Sequence, residues 1–217
     1  MTTPTRSFFF AALGGALALG GLFAQPAAAQ DAQCPVKIGA VLSLTGSMGP
    51  VGQNIANSAR LAVEHVNAGG GVKGCQVEFL LRDDQGQPNV GVDAAKYLVE
   101  VERIAALTAA ISTGVTVPIL TSVTAEAQVP QVSCCSSAPV LTQLAQEGKT
   151  GGFFFRTFPS VKNLAYPPAL IASERGIKKV AVIYVNTDFG VGLNKDFSVA
   201  LKALGGEVVA SVAYNEN

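Results

Sequence analysis

From Val36 to Ser133 the chain alternates short, nearly unbroken apolar runs with stretches of helical period. A buried parallel strand needs apolar residues on both faces, and a parallel neighbour needs a crossover, most simply a helix. The alternation therefore predicts an α/β fold with a parallel sheet covered on both faces. Val36–Leu44 reads as the first strand, bounded by Pro35 and Thr45-Gly46. After the glycine-rich turn Gly46–Gly52, the residues Ile55, Ala59, Ala62, Val63 and Val66 mark a helix that Gly69-Gly70-Gly71 stops. Gln76–Leu81 is the second strand, with Asp83-Asp84 just past its end. Pro88 opens a helix carrying Val90, Ala94, Leu98 and Val101 on one face. Ile104–Ile111 is the third strand. The turn Ser112–Thr116 leads into a helix over Val115–Ala127, with Pro118 in its first turn. Val129–Ser133 is the fourth strand. A turn of small residues then hands over to a helix at Pro139–Gln146, with Ser137 or Ala138 as its cap.

The rhythm breaks at Gly151. The aromatic run Phe153–Pro159 reads as a segment crossing between lobes. A new series follows: a helix to Glu174, a strand Val180–Val185, a loop Asn186–Gly190, a helix to Leu204 and a strand Glu207–Tyr214. In the last helix Leu193, Phe197, Ala200, Leu201 and Leu204 form the apolar stripe. Two strands are a thin basis for a second lobe. The expected division is residues 1–29 as an export signal, 30–152 as the first lobe, 153–159 as the crossing and 160–217 as the start of the second lobe, which reads as truncated.

The export signal is expected from Arg6, the apolar run Phe8–Phe23 and the small residues Ala27 and Ala29, with cleavage after Ala29. The run falls short of the ~20 residues of a membrane span, contains four glycines and lacks a basic flank. Neither a lipid-anchor approach to Cys34 nor a twin-arginine pair is present. Fifteen basic and fifteen acidic side chains balance over the chain, with no basic cluster. Nucleic acid and anionic membranes, which need such clusters, are disfavoured as partners.

Export permits disulfides. Cys34 precedes Val36 by two residues and Cys75 precedes Val77 by two. If these strands are parallel neighbours, both cysteines lie at one sheet end in equivalent register, within bridging distance. A Cys34–Cys75 bridge is expected. Cys134 and Cys135 are adjacent, where a bridge would be strained, and read as two packed thiols.

Other chemistry is sparse. The glycines at 69, 71 and 74 match a dinucleotide spacing but end a helix instead of opening one. There is no phosphate-binding loop, no nucleophile elbow and no metal-ligand spacing. No cofactor or metal is expected. His65, the sole histidine, reads as a packing or surface residue, and Asp83-Asp84 as polar residues ending a strand. The hydroxyl turns are more informative. Free N–H groups at Ser112-Thr113-Gly114 favour an anion, with the Thr113 hydroxyl as a further donor. The Ser136 carbonyl and Ser137 hydroxyl can accept from an ammonium group. Each turn alone could be simple capping, but two such turns after strands of one parallel sheet converge on one crevice.

Ile38–Gly46, Gly70–Gly74 with Asp83-Asp84, Thr113–Thr116, Ser133–Thr142, Phe155-Arg156-Thr157 with Pro159, and Lys179–Asn186 with Asp188-Phe189-Gly190 together resemble the leucine/isoleucine/valine-binding-protein-like family. These are periplasmic solute-binding components of branched-chain amino-acid ABC importers. The resemblance implies a type-I periplasmic binding protein: two Rossmann-like lobes with parallel sheets, here with the second lobe incomplete, closing on a ligand by a hinge. It implies an exported, periplasmic, non-enzymatic protein that binds a small amino acid or amide and delivers it to a membrane permease. By position, Thr113, Ser136 and Ser137 hold the ligand's backbone groups, with Ser112 beside them. Val51 lies where some members place an aromatic, and Phe189 where many have Tyr. Members are considerably longer than this chain. Ala109-Ala110 replace a common Gly-Pro, Ser136-Ser137 replace Ala-Thr, and Pro167-Pro168 fall where the family has helix, so the helix is expected to start or break there. A ligand-sensing domain of the same fold is the alternative function. An exported α/β enzyme using Cys134 or Asp83 is a third class.

Overall fold

The computed structural model describes residues 34–215. The expected export signal and its cleavage site lie outside the described residues. Five parallel strands build the first sheet: β1 (Val36–Leu42), β2 (Val77–Asp83), β3 (Ala106–Ala109), β4 (Gln131–Ser133) and β5 (Phe154–Arg156), in spatial order β2-β1-β3-β4-β5. The first connection runs to one side of β1 and the later ones to the other, so the order reverses between β1 and β3. At such a switch point the loops leaving two neighbouring strands diverge and leave a crevice at their carboxyl ends.

The helices are α1 (Gly49–Ala68), α2 (Pro88–Lys96), α3 (Thr113–Ile119) and α4 (Pro139–Gln146). Val41, Leu107 and Ala109 pack with Ala95 and Leu98 of the α2 region and Val115, Ile119 and Val123 of the α3 region. On the other side, Leu42 and Ile111 pack with Ala56 of α1. Adjacent Val41 and Leu42 thus serve opposite faces, as strand alternation requires. The apolar stripe of α1 is only partly covered: Ile55, Ala59 and Val63 are half-buried, and Val66 is exposed.

Several elements differ from expectation. β2 extends to Asp83, so this residue belongs to the strand. Helix α3 begins at Thr113, which puts Pro118 in its second turn instead of its first. Lacking an N–H, Pro118 cannot bond the Gly114 carbonyl, and the helix continues as a wider π-helical turn over Leu120–Thr124. A similar turn, Tyr97–Val101, extends α2. The aromatic run expected as a crossing supplies β5, whose Phe154–Arg156 pair with Gln131–Ser133, so the first sheet reaches beyond residue 152.

The second sheet pairs β6 (Lys179–Val185) with β7 (Glu207–Tyr214) in parallel, flanked by α5 (Val161–Glu174) and α6 (Asp188–Ala203). With two strands, the second lobe is incomplete. Pro167 and Pro168 neither start nor break α5; the helix runs through both. Both prolines are exposed, while Val161, Ala165, Ala169 and Ala172 form a buried small-residue stripe. Ala169, Ala172 and Leu201 make the core, with Phe197, Ala200, Leu204 and Val208 against it. This burial holds the helix through both prolines. Thr187 caps α6 by accepting from the Gly190 N–H at 3.3 Å. The other sheet face is open: Ile183 is 75 % exposed.

Cys34 and Cys75 are bonded, with Cα atoms 5.2 Å apart. The parallel register that pairs Val36 with Val77 brings them together. No helix among the described residues is long and apolar enough to cross a membrane.

Candidate functional site

The loops leaving β3 and β4 are joined by a buried hydroxyl network. Ser133 Oγ donates to the Ala110 carbonyl at 3.1 Å and accepts from the Ser136 N–H at 3.0 Å, fixing the turn after β4. Ser136 Oγ lies 2.6 Å from Thr116 Oγ1 and 3.1 Å from the Ala110 carbonyl. Thr116 Oγ1 in turn accepts from the Ala110 N–H at 2.9 Å. Gln131 is fully buried beneath this network, accepting from Thr124 Oγ1 at 2.6 Å and reaching the Thr116 carbonyl at 3.3 Å. The two turns are therefore one rigid unit, and polar groups this buried are stabilising only when satisfied in this way.

Thr113 Oγ1 accepts from the Ala138 N–H at 3.4 Å, which leaves its own proton available. Ser112 precedes α3 in extended conformation and makes no side-chain cap. The N–H groups of Val115 and Thr116 both bond the Ser112 carbonyl. Those of Thr113 and Gly114 have no partner among the described residues, as expected for a helix start. The Ser137 hydroxyl and the Ser136 carbonyl also lack hydrogen-bond partners among the described residues, whereas the Ser137 carbonyl accepts from Val161 N–H at 2.9 Å. Donors and acceptors thus sit a few residues apart on linked turns, at the carboxyl ends of β3 and β4.

The structure brings Thr113, Ser136 and Ser137 together, with Ser112 adjoining. Ser136 takes part through its backbone, because its hydroxyl is turned inward. Val51, in the first turn of α1, is 46 % exposed. Phe189 is elsewhere: it lines a cavity of about 500 Å³ along β6 with Leu164, Val182, Tyr184 and Phe197, and none of the hydroxyl-turn residues lines it. That cavity is lined mostly by apolar side chains and follows the open edge of a two-stranded sheet. The hydroxyl turns are the better candidate, since specificity comes from placed polar atoms. The sequence marks Thr116 and Ser133 as ends of the two turns, but neither their bridging role nor Gln131 is marked there. Their signal, small polar residues inside apolar strand and helix starts, is visible only once β3 and β4 are neighbours.

The carboxylates nearby are structural. Asp83 accepts from Leu44 N–H at 2.8 Å, Gln85 N–H at 2.9 Å and Thr45 Oγ1 at 2.7 Å. Burial opposes its ionisation, but these hydrogen bonds outweigh it and hold the carboxyl below its ordinary range. Asp84 is wholly buried. Its Oδ1 accepts from Ser43 Oγ at 2.6 Å and Gly86 N–H at 2.8 Å, and its Oδ2 has no partner among the described residues. Burial pushes the Asp84 carboxyl up, against the pull of those bonds. Both aspartates fasten the end of β2 to the end of β1. Arg156 Nη2 donates to Thr142 Oγ1 at 2.6 Å, and Nη1 to the Ala138 carbonyl at 3.4 Å, bracing α4 against β5. Among the described residues no cluster of three or more metal-ligating side chains occurs.

A family model described as periplasmic binding protein matches residues 35–217. The Leu/Ile/Val-binding protein homolog 3 of Brucella melitensis is 33 % identical over 174 residues, 80 % of this chain and 45 % of that protein. The chemotactic signal transduction system substrate-binding protein BasB of Halobacterium salinarum is 30 % identical over 187 residues, 83 % of this chain and 44 % of that protein. The chain thus spans about half the length of the curated relatives it matches. Among solved structures, the branched-chain amino acid transporter substrate-binding protein LivJ of Streptococcus pneumoniae, in complex with isoleucine, superimposes with a TM-score of 0.72 at 25 % identity, over 83 % of this chain and 49 % of that one. An ABC-transporter solute-binding protein of Rhodopseudomonas palustris, in complex with 3,4-dihydroxybenzoic acid, gives a TM-score of 0.74 at 22 % identity, over 82 % and 47 %, a likeness of fold.

Proposed function

The chain belongs to the periplasmic binding protein family, and on that footing we propose that it is the extracytoplasmic substrate-binding part of an ABC importer for a branched-chain or other small amino acid, or an amide. The observation that carries this reading is the pair of linked hydroxyl turns at the switch-point end of the sheet. The ligand carboxylate is received by the Thr113 and Gly114 amides and the Thr113 hydroxyl. Its ammonium faces the Ser136 carbonyl and the Ser137 hydroxyl. The dipoles of these turns suit a zwitterion, with the nearby Arg156 guanidinium engaged by the Ala138 carbonyl and Thr142, and an apolar side chain is left facing the opposing lobe. Val51 borders the entrance from α1. A permease is the partner, and the protein works outside the cytoplasm as its family does. The first lobe offers the recognition groups and the second excludes water on closure.

The name of the Halobacterium relative supports a second reading, a sensor that presents the same ligand to a signalling receptor. A thermal-shift panel of branched-chain amino acids, short amides and benzoate tests the ligand class; no shift with any amino acid or amide overturns it. Ligand-dependent stimulation of ATP hydrolysis by the co-expressed permease supports transport. Its absence, with binding intact, favours sensing.

A further inference from the structure

Between the two anchors of the β4 turn, Ser133 and Ser136, lie Cys134 and Cys135, both half-buried. Their sulfurs are 2.6 Å apart and unbonded. That is well inside the ~3.5–4.0 Å of ordinary non-bonded contact and about half an ångström outside a covalent S–S bond of about 2.05 Å. Cys135 also packs beside Leu42, Ala56 and Ile111, on the α1 side of the sheet. The structure shows the two packed, free thiols expected from the sequence, and it places their sulfurs in direct contact within the turn.

We propose that Cys134 and Cys135 form a reversible dithiol–disulfide site that sets the shape of the ligand-binding turn. Consecutive Cα atoms are about 3.8 Å apart, below the ~4.4–6.8 Å of ordinary disulfides, so a bridge here is strained and readily reduced. Cys34–Cys75, with Cα atoms 5.2 Å apart, lies in the ordinary range and serves as the structural bridge. The oxidant is a small or protein disulfide of the kind an export compartment supplies. The Cys135 thiolate attacks one sulfur of that disulfide, forming a mixed disulfide and expelling one thiolate. The Cys134 thiolate then attacks Cys135 Sγ, closing the ring and expelling the second. Two protein thiols become one disulfide, the oxidant becomes two thiols, and the two protein protons pass to the expelled sulfurs. The contact between the two sulfurs holds the Cys135 thiol below the usual range and raises that of Cys134, which suits Cys135 as first nucleophile. The ring forms one residue before the Ser136 carbonyl. Its closure re-aims that carbonyl and the Ser137 hydroxyl, whose positions are otherwise tied to Thr116 and Val161. The consequence for ligand affinity and the supply of oxidant rest on the function proposed above; the reaction of the two thiols with an added disulfide does not.

The test is the full chain equilibrated in glutathione buffers of graded reduced-to-oxidised ratio, acid-quenched, alkylated and mapped by mass spectrometry. Expected is an intrachain Cys134–Cys135 bond that forms at oxidising ratios and reopens at ratios where Cys34–Cys75 stays bonded. Cys134→Ser is expected to stop at the glutathione mixed disulfide on Cys135. Amide NMR of the oxidised and reduced wild type is expected to differ at Ser136, Ser137 and Ala138, with no such difference in the Cys134→Ser/Cys135→Ser variant. Two thiols that remain open to alkylation at every ratio, or a mixed disulfide that never resolves in the wild type, would overturn the site. Redox-dependent bonding without movement of those amides would overturn the effect on the turn. Loss of leucine binding in both redox states would bear on the proposed function alone.

Discussion

At the scale of residues, the neighbouring hydroxyls carry different roles. Thr113→Val keeps the shape and removes the donor. Because hydrogen bonds to charged groups are worth about 1.5–3 kcal/mol, ligand affinity is expected to fall about tenfold or more, and because the Ala138 N–H loses its acceptor, urea stability is expected to fall by about 1–2 kcal/mol. Ser136→Ala removes an inward hydroxyl that bridges Thr116 and Ala110. It is expected to lower stability by about 1–2 kcal/mol in the same unfolding experiment. Asp84 gives a pH signature. Burial raises its folded pKa, so the folded chain takes up its proton at higher pH than the unfolded chain does. Stability therefore gains from this group as pH falls through its folded pKa, and the gain is complete below the ordinary carboxylate value. Asp83, held low, acts oppositely: its contribution is present above the ordinary value and lost as pH falls through its folded pKa. Asp84→Asn is expected to abolish the gain between neutral and mildly acidic pH in urea titrations; an unchanged pH slope would show that the orphan oxygen is solvated. The alternation of donors and acceptors around Thr113 and Ser137 was legible in the sequence. The inward turn of Ser136 was not, because it depends on Ala110 and Thr116 arriving beside it from another strand.

At the scale of elements, the approach of α1 to the end of β1 depends on Gly52. A Cβ there would overlap the Ser43 carbonyl. Gly52→Ala is expected to destabilise by roughly 1–3 kcal/mol, measured by denaturant unfolding, and to shift α1 away from the switch point. In α5, Pro167→Ala restores the hydrogen bond to the Asn163 carbonyl on an exposed face. It is expected to stabilise by about 1–2 kcal/mol, the helix-propensity gain less the entropy returned to the unfolded chain. Strand and helix existence was readable from periodicity, and the β1–β2 register from the matched Cys-x-Val spacings, Val36 against Val77. Boundaries were less so. The aromatic run before Pro159 looks irregular in isolation and becomes β5 only because β4 offers an open edge. Pro167 and Pro168 argue locally for a break, and the buried stripe Val161–Ala172 overrides them. Strand order is not encoded in any one stretch, so the switch point between β1 and β3 emerged only with the sheet.

At the scale of the whole molecule, a five-stranded first sheet carries the linked hydroxyl turns, while a two-stranded second sheet exposes one apolar face. The proposed recognition groups lie on the first, and the chain covers about half of its relatives' length. Affinity here is expected to come from first-lobe contacts and to be weak, near millimolar, about −4 kcal/mol. The most direct test is an amide NMR titration of the chain with isoleucine. Saturable shifts at Thr113, Gly114, Ser137 and Ala138, lost in Thr113→Val, are the expected result. A folded chain whose amides at these positions stay still while others respond, or whose response survives Thr113→Val unchanged, would contradict the assignment of the site.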